Sequence, residues 1–279
     1  ATQAEATLSG ITAFGTDGYT LGASDLWSEN STSFASWNWL GANGTASNTT
    51  GSIDSTVSAN TTSGFSIVSY AGNSTAGATI GHSLGVAPKM IIVKDRDGAD
   101  SWVVYHNSLA ITEYLILNST SAALTDNEVI FYDTDPTSSV FTVGAHNTVN
   151  QSGHNYIAYC FAEKQGYSKF GSYTGNGSTD GTFVYTGFKP AFVMIKATGL
   201  VKNWLTFDNR RLGYNGAGTN KQLHPNTNGT ESSGNGTTLD ILSNGFKTRT
   251  TDSDENGSGQ NYIYMAFAEN PFVASNFVP

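Results

Sequence analysis

Residues 155–163 read NYIAYCFAE, and residues 261–269 read NYIYMAFAE. Each is a short run of β-branched and aromatic residues bounded by Asn and Glu, the pattern of a core strand rather than of a helix. Alternation in the first copy puts Ile157, Tyr159 and Phe161 on one face and Ala158 and Ala162 on the other. The only cysteine of the chain, Cys160, stands where the second copy has Ala266. Chemistry cannot depend on a residue that its own repeat replaces, so Cys160 reads as a small core residue. The phrase itself reads as the last core strand of a repeat unit.

Upstream of both strands the repetition continues in order. SYAGN (69–73) returns as SYTGN (172–176), PKMIIVK (88–94) as PAFVMIK (190–196), and NQSGHNYI (150–157) as NGSGQNYI (256–263). Trp102 and Trp204 follow the two apolar runs at the same distance. A third, partial copy lies at the front: GYTLGAS (18–24) and NSTSFASWNWLGA (30–42) align with VFTVGAH (140–146) and NQSGHNYIAYCFAEK (150–164). In that alignment Asn38 takes the place of Cys160. The reading is therefore residues 1–42 as the C-terminal part of an incomplete unit, 43–63 as a Ser/Thr/Asn-rich bridge, and 64–166 and 167–279 as complete units.

Within a unit, short apolar runs such as KMIIVK are fenced by Pro and Gly, and turn residues recur densely in GNGS, RDGAD and ENGSG. No capped apolar stripe of helical period occurs. The expected fold class is all-β, as tandem antiparallel β-sandwich, jelly-roll-like repeats. An open alternative has pieces of neighbouring units sharing sheets, which would stabilise the front half-unit.

Composition points the same way and excludes several functions. The 279 residues carry 13 Lys+Arg against 22 Asp+Glu, a net charge of −9. Duplex nucleic acid needs a basic footprint to displace counterions, and none is present. One cysteine makes no internal disulfide. No apolar run approaches the ~18 residues of a membrane-spanning helix, so no membrane insertion is expected. The start, ATQAEATLSG, lacks Met and a leader pattern, which suggests the middle of a longer chain or a processed end.

Candidate sites compete with structural readings. GHSLG (81–85) satisfies the G-x-S-x-G pattern, but it runs into Pro88 and a strand where a nucleophile elbow needs a helix. Ser83 is therefore read as part of a glycine turn. His82, His106, His146, His154 and His224 show no metal-ligand spacing. DSDENG (252–257) begins like a calcium loop, although the twelfth position, Ile263, excludes an EF-hand. Asp252, Asp254 and Asn256 remain candidate ligands for a structural calcium ion, and no other cofactor is expected. Trp102 and Trp204 are candidate platforms for a sugar ring, against a repeated packing role. The sequons at Asn30, Asn43, Asn48, Asn60 and Asn73 are what an Asn/Ser/Thr-rich chain produces by chance.

Laid out as repeats, several long phrases resemble a family. They are GFSIVSYAGNSTAGATIGHSLGVAPKMIIVK, PTSSVFTVG, NYIAYCFAEKQGYSKFGSYTGNGSTDGTFVYTGFKPAFVMIK, DILSNGFK and NYIYMAFAENPF. They are similar to a repeat domain of unknown function found in virion-surface proteins, chiefly tail-fibre-like ones, of marine and cyanobacterial bacteriophages. The front fragment, DGYTLGASDLW and then FASWNWLGA, resembles the end of a preceding repeat.

The resemblance implies a non-enzymatic protein of the virion surface, tail-fibre or spike-like, which contacts the host cell. Implied partners are copies of itself in a homo-oligomer, other virion proteins, and a host surface glycan or receptor. Capsid decoration or a head fibre is the alternative, followed by a bacterial surface adhesin or a glycan depolymerase. A depolymerase would need two carboxylates about 5–9.5 Å apart in a groove. The resemblance supplies no catalytic residue.

Overall fold

The computed structural model describes residues 3–6, 10–24, 28–211, 215, 220–232 and 239–271. The elements named among them are eighteen strands and two helical turns, Asn127–Val129 and Asn147–Asn150. The all-β expectation holds, and every pairing between named strands is antiparallel.

The front segment forms a hairpin, β1 (Ile11–Phe14) and β2 (Tyr19–Leu21). Then come β3 (Ala46–Asn48), β4 (Ser55–Asn60), β5 (Phe65–Ala71), β6 (Ala78–Gly81), β7 (Met90–Asp95), β8 (Val103–His106), β9 (Leu115–Ile116), β10 (Val140–Val143) and β11 (Asn155–Phe161). Seven of these make one large sheet in the order β3-β4-β5-β11-β7-β8-β9, faced by the pair β10-β6. The second unit repeats the scheme with β12 (Ser168–Thr174), β13 (Phe183–Tyr185), β14 (Pro190–Ala197), β15 (Leu205–Asp208), β16 (Leu239–Leu242), β17 (Gly245–Thr248) and β18 (Asn261–Ala268). Its large sheet runs β12-β18-β14-β15 and its small sheet β13-β17-β16.

Each unit is a two-layer sandwich with its own core. In the first, Val68, Tyr70, Ile91, Val93, Tyr156, Ala158 and Cys160 point from the large sheet toward Ile80, Phe141 and Val143 of the small one. In the second, Val193, Ile195, Tyr262, Tyr264 and Ala266 face Ile241 and Phe246. The alternate residues of the same strands are also covered. Met90, Ile92, Val104 and Phe161 of unit one pack against Phe170, Phe192, Met194, Ile263, Met265 and Phe267 of unit two in a third apolar cluster. The two large sheets thus lie back to back, and the molecule has four layers. Strands buried on both faces read as continuous apolar runs, which is why MIIV and FVMI do not alternate with polar residues.

Two boundaries differ from expectation. Segment 43–63 is no bridge: it supplies β3 and β4, which extend the large sheet of unit one beyond β5. Val57 is 3% exposed and Ile53 7%. Their alternation with Ser and Thr is a strand pattern hidden by composition. The stretch 33–42, expected as a core strand, pairs with no sheet. Counterparts of β5 and β7, which flank β11, are absent from residues 1–42, so it runs as a strap along the seam. Trp37 and Trp39 insert there against Phe192 at 5.7 and 5.5 Å between ring centroids.

Candidate functional site

The loops at the ends of β5, β10 and β11 are tied by one set of contacts that both units repeat. Tyr70 stacks on Tyr156 with centroids 5.2 Å apart, and Tyr173 on Tyr262 at 5.0 Å. The Tyr70 hydroxyl donates to Val149 O at 2.7 Å, and that of Tyr173 to Glu255 O at 2.6 Å. Tyr156 and Tyr262 accept from the backbone N–H groups of Gln151 and Gly257, each at 2.8 Å. Burial raises the pKa of all four phenols, so they serve as neutral donors.

Asn256 belongs to this scaffold. It is fully buried, and its amide donates to Ser178 O at 2.8 Å and Thr250 O at 2.7 Å while its carbonyl accepts from Asn176 N at 3.1 Å. Asn150 does the same in unit one: it donates to Thr75 O and Gly144 O, both at 2.9 Å, and accepts from Asn73 N at 2.8 Å. The oxygen of Asn256, the atom that would ligate a cation, is buried and turned to the Asn176 N–H rather than to the carboxylates of Asp252 and Asp254.

The carboxylate of Asp254 meets the Lys202 ammonium at 2.5 Å, with Asp252 at 3.9 Å from the same nitrogen. Among the described residues no three His, Cys, Asp or Glu side chains come together to hold a metal. The proposed calcium ligands therefore do not fit: one is a structural staple and the other two neutralise a lysine.

The two tryptophans divide. Trp204 is 1% exposed, and its indole N–H donates across the seam to Ile116 O at 3.0 Å. Neither of its faces is open to a sugar, so the platform reading fails for Trp204. Trp102 is partly buried and lies parallel to Tyr159 at 6.3 Å, which occupies one of its faces.

Ser83 sits in a turn at φ 58°, where its Oγ accepts from the Asn48 amide at 2.8 Å. The neighbouring His82 ring is buried, accepts from Leu84 N through Nδ1 and contacts Thr137 O through Nε2, both at 3.2 Å. No base is aimed at the hydroxyl.

His106 is buried at the seam. Its Nε2 faces Tyr264 O of unit two at 3.2 Å and its Nδ1 accepts from Ser108 N at 3.2 Å. Those two partners fix the neutral Nε2–H tautomer, and burial holds the pKa down at about 4.

Two features escaped the sequence reading. Lys94 and Lys196, equivalent residues near the ends of the central strands, are 5% and 0% exposed. Lys94 donates to Gly98 O at 2.8 Å and Lys196 to Leu200 O at 3.3 Å, the same step of four residues in both units. Lys196 also reaches Lys202 O at 2.9 Å and Thr120 O of unit one at 3.2 Å, and burial lowers its pKa to about 8. The repeated K at the end of PKMIIVK and PAFVMIK was the available signal.

The other feature is a His–Asp pair, His154 Nδ1 to Asp95 Oδ2 at 2.8 Å. The Asp95 carboxylate raises the imidazole pKa. The far nitrogen of that ring meets the Gln151 amide at 2.8 Å, where a triad would place a hydroxyl or thiol. No repeat signal marks it, because the counterpart of His154 is Gln260.

One open groove lies on the seam. It encloses about 430 Å³ and brings Ser108, Leu109 and Glu113 of unit one to Ser172, Thr198 and Asn261 of unit two. Hydroxyls, an amide and one carboxylate around a small apolar spot suit a neutral polyhydroxylated ligand better than an anion or a lipid.

A family model described as a domain of unknown function (DUF7483) matches residues 1–271. No curated protein and no solved structure matches the chain.

Proposed function

We propose that this chain, which belongs to the DUF7483 family of domains of unknown function, is a non-enzymatic module of a bacteriophage virion surface. In this reading it forms part of a tail fibre or spike that contacts the host cell. The virion assignment rests on the resemblance of the repeat phrases to tail-fibre-like proteins. The observation that carries a non-catalytic role is where the polar side chains are used. The Asn, Lys and Tyr groups that repeat between units are bound into backbone staples, and Ser83, His82 and His154 each lack a partner with which to do chemistry. Contact with a host glycan falls to the hydroxyl-lined groove on the seam, to which both units contribute side chains.

Labelling particles with an antibody raised against the chain tests the assignment. Label at the tail supports it, and label on the shell moves the protein to capsid decoration. Particles that carry no label overturn the virion reading. Release of reducing sugar from host envelope by the purified chain would overturn the non-enzymatic one.

A further inference from the structure

The small sheets of the two units present different outward faces. In unit one, Thr79 and Gly81 of β6 face Thr142 and Val140 of β10; in unit two, Phe183 and Tyr185 of β13 face Lys247 and Gly245 of β17. Since VFTVG (140–144) aligns with GFKTR (245–249), Thr79 corresponds to Phe183 and Gly81 to Tyr185. Unit one covers its pair with its own chain. The Ser52 N–H donates to Thr79 Oγ1 at 2.9 Å, Ser55 Oγ donates to Gly81 O at 2.8 Å, and Ile53 bridges to Ile80. Among the described residues unit two has no counterpart of that segment, because only residues 162–167 join β11 to β12.

Nor does unit two leave room for one. A Cβ on Gly81 would stand 2.2 Å from Asn48 Oδ1, so a side chain there and a segment laid as in unit one exclude each other. Tyr185 is such a side chain. Phe183 and Tyr185 are instead 44% and 64% exposed on one face of an edge strand, about 6.6 Å apart along it. An adjacent pair of open aromatic rings on a sheet edge marks a contact surface. The charged side chains beside them are already matched: Lys247 meets Asp180 at 2.5 Å, and Arg249 meets Asp240 at 2.6 Å. Two cations against two anions leave no net field to attract a polyanion or a charged membrane. The guanidinium and the carboxylates still offer donors and acceptors to hydroxyl groups.

We propose that the outward face of β13 and β17 binds an uncharged glycan chain, with Phe183 and Tyr185 as stacking platforms for its sugar rings. The apolar face of a pyranose suits an aromatic face, as a base does in single-strand binding. Its hydroxyls would be met by Lys247, Arg249 and Asp180, whose side chain is 81% exposed. Steric exclusion of a covering strand and the balanced charges both favour this occupant over a polypeptide. The face is separate from the groove on the seam, since the large sheet of unit two lies between them. It is confined to unit two, where aromatic rings stand in place of Thr79 and Gly81.

Affinity electrophoresis of the whole chain, in gels cast with β-glucan, galactomannan or dextran, tests the proposal whatever particle the chain belongs to. At least one of these neutral polysaccharides should retard the parent. Phe183→Ala and Tyr185→Ala should each weaken the apparent affinity about tenfold, as loss of one aromatic contact does. Phe183→Tyr restores a ring and should recover the affinity lost in the Ala variant. Melting temperatures equal to the parent's show that the fold is kept. The proposal is overturned if none of the gels retards the parent, or if both Ala variants are retarded as the parent is. Retardation lost in Glu113→Ala but kept in both Ala variants places the contact in the seam groove and overturns it too. Self-association that Tyr185→Ala abolishes, seen by sedimentation, would make the face a protein interface and overturn the glycan reading.

Discussion

Phe161 meets Phe267 edge to face across the seam, with ring centroids 6.1 Å apart and planes at 62°. The two occupy the same place in their respective repeats, so the duplication that wrote the strand twice also wrote both halves of the contact. Phe161→Ala and Phe267→Ala should each cost about 3–5 kcal/mol, as truncation of a buried aromatic does. Because the rings touch, the double variant should lose less than the sum of the two singles. Denaturant midpoints of the four proteins measure this, and strict additivity would mean the units are not coupled through the pair.

Asn256→Ala strands two carbonyls and a backbone N–H inside the loop scaffold, and should cost at least about 2 kcal/mol. Asn150→Ala should cost as much, since its partners are equivalent. Calcium added to the native protein should leave the Tm unmoved, because Asp252 and Asp254 are already engaged by Lys202. Thermal melts with and without the ion and a chelator decide the point.

The seam should be acid-labile through His106. Its ordinary pKa of 6.5 is lowered to about 4 in the fold, by burial first and by the charge of Lys89 besides. As pH falls below 6.5 the unfolded chain takes up the proton while the folded imidazole does not. The neutral ring's contribution is therefore full above 6.5 and lost between 6.5 and 4, about 3 kcal/mol in all. Stability curves of His106→Gln against the parent should differ in slope within that window and run parallel above it.

Cys160 should be inert to thiol reagents until the protein unfolds. It is 0% exposed and burial pushes its thiol up to about 12, so no thiolate is available at neutral pH. Labelling by a coloured disulfide should follow the unfolding transition. Cys160→Ala, which copies the Ala266 of unit two, should cost only about 1 kcal/mol for a small volume change.

Much of this architecture was legible in the residues, and what was not has physical causes. The repeats gave the strands, their order and the interchangeability of Cys160, because alternation and apolar runs are local properties. The doubly apolar runs at 90–93 and 192–195 announced burial on both faces, but nothing local says which surface covers the second. That depends on the back-to-back packing of the sheets.

Asn256 was misread because DSDENG resembles a cation loop taken alone. Its alignment with Asn150, in a loop without carboxylates, was the better guide. The strand β4 was hidden by Ser and Thr, although Ile53, Ser55, Val57 and Ala59 keep a period of two. Trp204 followed the repeat as a packing residue, while its acceptor, Ile116 O, lies in the other unit and leaves no trace in the sequence.

The order of strands in the large sheets also sets when each can form. The last strand of each unit in sequence is a central one: β11 lies between β5 and β7, and β18 between β12 and β14. During synthesis the early strands must wait, with unpaired edges, until the final nine-residue phrase emerges from the ribosome. The two phrases NYIAYCFAE and NYIYMAFAE thus act as timing elements. A nascent chain arrested just short of residue 261 should hold a folded first unit and a second whose outer strands have nothing to join them.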